Sequence, residues 1–99
     1  MLQPSSLPAY THVAGTAAGT TVIADRPCGL FNICFNQNQT GTATFYDCAT
    51  AAGTTADNKM LVTNNNVGSL PMTLAVGCRT RYGLVTVIGG TVDFTVIWN

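Results

Sequence analysis

The chain has 99 residues, the length of one domain. Four Lys and Arg face four Asp and no Glu, so the formal charge is zero and charged side chains are 8% of the chain, about a third of the share in an ordinary soluble domain. This excludes a nucleic-acid binder with a basic phosphate track and a charged disordered tail. It also excludes a membrane-spanning helix, because the longest apolar runs, at 22–24, 60–62 and 74–76, fall far short of the roughly 20 residues a bilayer needs.

The polar residues are mostly uncharged: sixteen Thr, eight Asn and three Gln, beside ten Gly. Thr, Val, Ile and aromatics suit a pleated, half-buried surface, Gly and Asn suit turns, and strong helix formers are scarce. The expected class is all-β. Near-zero charge also removes the self-repulsion that keeps small monomers apart, so much of the surface is expected to be covered by partners.

In chain order, residues 1–12 read as an extended arm, because Pro4 and Pro8 argue against helix or central strand. Nothing there reads as a signal peptide, and synthesis in a cytoplasm is expected. The body then runs from 13 to 99. TVIA at 21–24 is a strand core, and Arg26-Pro27 a turn. CGLFNICF at 28–35 alternates, with Phe31, Ile33 and Phe35 on one face and Cys28, Leu30, Asn32 and Cys34 on the other. GTATFYDC at 41–48 puts Ala43 and Phe45 on one face. Pairing these two runs as a hairpin opposes Phe31 to Phe45, Ile33 to Ala43 and Leu30 to Tyr46. Leu30 and Tyr46 then lie outside the core as candidate contact residues. Tyr10, Pro4 and Pro8 are the candidates in the arm.

Residues 49–59 read as a loop or short helical turn, and 59–63 as a short strand ended by three Asn. The run 69–77 is a strand weakened by Pro71. TRYGLVTVI and TVDFTVIW, joined by Gly89-Gly90, read as a tight hairpin that opposes Val85 to Phe94 and Arg81 to Trp98, the last pair in cation–π contact. The architecture expected is a single-domain antiparallel β-sandwich or jelly-roll-like barrel with an extended N-terminal arm.

Catalytic chemistry is thinly supplied. His12, alone of its type, lies in the arm, where nothing is expected to orient it. Asp25, Asp47, Asp57 and Asp93 fall at strand ends, in turns or on an exposed strand face. No nucleophile elbow or phosphate loop is present. Cys28, Cys34, Cys48 and Cys78 match no zinc spacing. The first hairpin would set Cys28 opposite Cys48, close enough for a disulfide, while four reduced thiols are the expectation at synthesis. No enzyme, cofactor or metal is expected. The Asn38-Gln39-Thr40 sequon is given no weight without a secretory signal.

The strand TVIA, then CGLFNICFNQNQTGTATFYD, AAGT at 51–54 and YGLVTVIGGTVDFTVIW resemble the small β-sandwich virion proteins of tailed phages, including cyanophages, of the capsid decoration or cement type. Gly41, Thr42, Thr44, Tyr46, Asp47, Gly83, Leu84, Thr95, Val96 and Trp98 occupy the places of that pattern. The four cysteines and the Thr/Ala-rich N-terminal stretch depart from it. The resemblance implies a non-enzymatic homo-oligomer, a trimer, made in the host bacterial cytoplasm and bound in the virion to the major capsid protein or another virion protein. The alternative is a receptor- or glycan-binding head module of a phage head or tail fibre.

Overall fold

The computed structural model describes residues 7–36, 41–63 and 72–99. Pro4, the sequon at 38–40, the three Asn and Pro71 lie outside them. Eight strands form in order: β1 (Ala9–Gly15), β2 (Gly19–Ala24), β3 (Gly29–Phe35), β4 (Thr42–Tyr46), β5 (Lys59–Thr63), β6 (Met72–Arg79), β7 (Leu84–Gly89) and β8 (Val92–Trp98). Two short 3-10 turns, Ala51–Gly53 and Ala56–Asn58, lie between β4 and β5.

The strands make two antiparallel four-stranded sheets, ordered β1-β8-β3-β6 and β2-β7-β4-β5. The pairs β1–β8, β2–β7, β3–β6 and β4–β5 are those of one long four-by-four hairpin rolled on itself, which is the jelly-roll arrangement. Consecutive strands therefore change sheets everywhere except at β4–β5.

This overturns both expected hairpins. β3 pairs with β6 and β8, and β4 with β5 and β7. β7 and β8 likewise lie in different sheets. The step from Gly89 to Val92 spans three Cα–Cα links of about 3.8 Å, which reach across the roughly 10 Å between stacked sheets. Gly90 turns the chain there at φ 87°, a left-handed conformation that glycine adopts without strain.

The core lies between the sheets. Phe45 and Phe94 meet with ring centroids 5.7 Å apart, flanked by Ile33, Phe35, Leu84 and Val96. Ile33, Phe35, Ala43, Phe45, Val92, Phe94 and Val96 are buried as their alternation requires. Two faces differ from expectation. The β3 register shifts between Leu30 and Asn32. This bulge carries Leu30 inward, at 0% exposure, and Phe31 outward, at 38%. In β7, Leu84 and Ile88 join the core, and Thr86 lies opposite the core residue Phe45. Val85 and Val87, expected on the core face with Phe94, lie opposite Tyr46 and Thr44 on the other side of the strand; Val85 is nonetheless wholly buried, at 0% exposure, and Val87 is half-buried. Thr and Val have nearly the same shape, so alternation within LVTVI does not tell the sides apart. The Thr86 hydroxyl is buried there without a hydrogen-bond partner.

The expected arm does not extend to residue 12, because Ala9 to His12 pair with Trp98 to Thr95 as the first half of β1.

Candidate functional site

The ends of antiparallel strands gather the connections at two poles. One pole carries the β2–β3, β4–β5 and β6–β7 connections. Asp25 and Arg26 lie in the first, Asp47 and Asp57 in the second and Arg81 in the third. Lys59 opens β5 and Arg79 closes β6 at the same pole. Seven of the eight charged residues therefore sit at one end of the sandwich, and Asp93 is the eighth.

Asp47 organises this pole. Its carboxylate accepts from the backbone N–H groups of Arg81 (2.9 Å to Oδ2), Tyr82 (2.9 Å to Oδ1) and Gly83 (3.4 Å to Oδ1). Burial pushes its titration up, but those three donors and the Arg81 charge outweigh it, and the carboxyl is held below its ordinary value. Gly83 is needed for close approach: a Cβ there would lie 2.5 Å from the Cys48 carbonyl oxygen and 2.6 Å from that of Ala24. Asn58 Nδ2 donates to the Gly53 carbonyl at 2.7 Å and ties the two 3-10 turns together.

Between these connections opens a cleft of about 350 Å³, lined by Asp47, Asp57, Asn58, Lys59, Met60, Arg81 and Tyr82. Tyr82 is 59% exposed. Sequence reasoning found no aromatic grouped with acidic residues. The fold makes that group by joining two connections far apart in the chain, and the shared dependence on Asp47 left no local signal. Arg81 lines this cleft; the guanidinium over the Trp98 ring, 5.4 Å from its centroid, belongs to Arg26.

The outer face of the β2-β7-β4-β5 sheet is different in kind. Its cross-strand rows read Thr20, Val87, Thr44, Val62 and Val22, Val85, Tyr46, Lys59. Val22 is 43% exposed and Val62 54%. Tyr46, half-buried, lies within this face. Leu30 is corrected: it is wholly core and has no surface to offer.

The outer face of the other sheet bears Tyr10, which is exposed, beside Ile97. Pro8 is exposed just before β1. Here His12 is not unoriented as expected. Its Nε2 lies 2.7 Å from Asp93 Oδ1, and Asn36 Nδ2 donates to that same oxygen at 2.9 Å and to Thr95 Oγ1 at 3.3 Å. The bonds from Asn36 and then His12 hold the Asp93 carboxyl below its ordinary value. Cys34 lies opposite Thr95 on the same face, and its sulfur accepts from Thr73 Oγ1 at 3.7 Å. Thr95 separates Cys34 from His12 across the sheet. Through Asp93, His12 and Asn36 tie β1 and the end of β3 to β8.

All four cysteines are free thiols. The strand pairing that would have opposed Cys28 to Cys48 does not form. Cys28 faces Thr80, sulfur to Oγ1 at 3.5 Å, and the Cys48 thiol donates to the Thr50 carbonyl at 3.3 Å. Burial raises the titration of Cys48, and burial with nearby Cys28 raises that of Cys78, so both favour the thiol form. Among the described residues no three of His, Cys, Asp and Glu come together to hold a metal ion, and no helix is long and apolar enough to cross a membrane.

Comparison with protein-family models, with curated proteins and with solved structures finds no match.

Proposed function

We propose that this chain is a non-enzymatic structural protein of a phage virion, which decorates or cements the capsid surface as a self-associating oligomer, a trimer as the sequence resemblance implies. One observation carries the reading: seven of eight charges stand at one pole, and a whole sheet face presents Val22, Val62, Val87 and Tyr46 with only Lys59 at its margin. A sandwich that faces water on both outer sides normally alternates apolar-in with polar-out. Here the outer side of β2-β7-β4-β5 alternates between Val and Thr, as a surface does when another protein covers it. The charged pole then points into solvent. The jelly-roll arrangement agrees with this reading and does not select it, since that fold also serves lectin domains and cupins. Many weak contacts over a shell would give firm attachment without high affinity per subunit.

The test is mass spectrometry of purified particles from a bacterial culture that carries this reading frame. The chain is expected in the particles at a copy number that is a fixed multiple or fraction of the major shell protein. Recovery only in the soluble lysate contradicts the reading.

A further inference from the structure

We infer that the cleft at the charged pole binds a saccharide that carries a carboxylate. Four features of the cleft point to this ligand. Its volume, about 350 Å³, is that of a small-ligand site. Tyr82, mostly exposed at its rim, offers a rigid aromatic face, of the kind that packs on the C–H side of a sugar ring while the phenol stays wet. Asn58 and Asp57 supply an amide and a carboxylate for hydroxyl groups. Lys59 and Arg81 bring two cations to the same cleft, and neither forms a direct ion pair among the described residues.

The free donors, not the net charge, favour the acidic sugar. Asp47 stays ionised beside Arg81, so the two carboxylates of the cleft balance its two cations, but the Asp47 oxygens are taken by three backbone N–H groups, which leaves the Lys59 ammonium and the Arg81 guanidinium as the charged donors toward a ligand. A guanidinium binds a carboxylate through two parallel hydrogen bonds, and a neutral sugar gives it no such partner. The loop that presents Arg81 and Tyr82 is held by its backbone on Asp47, so the two side chains are free to meet a ligand on a fixed frame. This site adjoins the proposed shell contact at Lys59 and does not depend on it. A particle protein without sugar affinity would sink this inference and leave the other standing.

The experiment titrates the full-length, isotopically labelled protein by NMR with a glucuronic-acid oligosaccharide and, in parallel, with a neutral glucose oligomer of equal length. The acidic oligomer is expected to saturate, with shifts confined to Asp47, Asp57 to Met60, Arg81 and Tyr82. Tyr82→Ala and Arg81→Gln are each expected to weaken binding about tenfold, and Tyr10→Ala to leave it unchanged. The same spectra report whether each variant is folded. Absence of a saturable shift, shifts outside the cleft, equal affinity for the neutral oligomer, or undiminished binding by the two cleft variants would each overturn the assignment.

Discussion

At the scale of single residues, polar side chains act mainly by supplying backbone groups and neighbouring strands with partners. Asp47 closes three N–H groups of the β6–β7 connection, and Asp93 collects His12 and Asn36 across β1, β8 and β3. Both carboxyls titrate lower in the fold than in the unfolded chain. Their ionised forms therefore stabilise the fold fully above the ordinary carboxylate range, and that stability is lost as pH falls through the lowered folded values. Thermal melting should hold level from neutrality down to that range and decline below it. Asp47→Asn, which keeps one acceptor and loses the charge, should cost about 1–3 kcal/mol at neutral pH and flatten the acid decline. An unchanged neutral midpoint, or an acid limb as steep as before, would refute the role given to Asp47. Thr86 shows the opposite case, a hydroxyl closed into the core with no partner.

At the scale of elements, strand positions were legible and their partners were not. The run 59–63 is a strand to the residue, and 49–59 does hold short helical turns. Alternation placed Ala43, Phe45, Phe94 and Val96 correctly, because each strand has one face in the core whichever sheet it joins. Pairing failed because a short Gly-containing connection serves a hairpin and a sheet-to-sheet crossing alike. The crossing wins here through long-range contacts that no local window contains. The bulge that exchanges Leu30 and Phe31 is hidden for the same reason. The cleft was illegible too, since its residues come from connections more than twenty residues apart. β1 is the element most misjudged. Ala9 to His12 supply four of its seven pairs with β8, Thr11 accepts from the Trp98 indole at 3.0 Å, and His12 meets Asp93. Removal of residues 1–12 should therefore strip β8 of a neighbour and lower or broaden the melting transition. A truncated protein that melts like the full chain would return those four residues to the arm.

At the scale of the whole molecule, the distribution of charge matters more than its amount. A net charge of zero could be reached with charges spread evenly over both sheets. Instead the strands carry their ionised residues almost wholly to one pole, and the outer side of β2-β7-β4-β5 is left to Val, Thr and Tyr46. Composition alone raises the expectation of a covered surface; under the proposed function, the outer side of β2-β7-β4-β5 is the surface that partners would cover.

The most direct test is the mass in solution, by light scattering from low to high concentration, of the full chain and of Val62→Lys. Val62 is over half exposed, so the substitution spares the core while placing a charge on the proposed contact. The full chain is expected to reach a defined multiple of its monomer mass and the variant to remain a monomer. A full chain that stays monomeric at the highest concentration, or a variant that assembles as readily, contradicts the account.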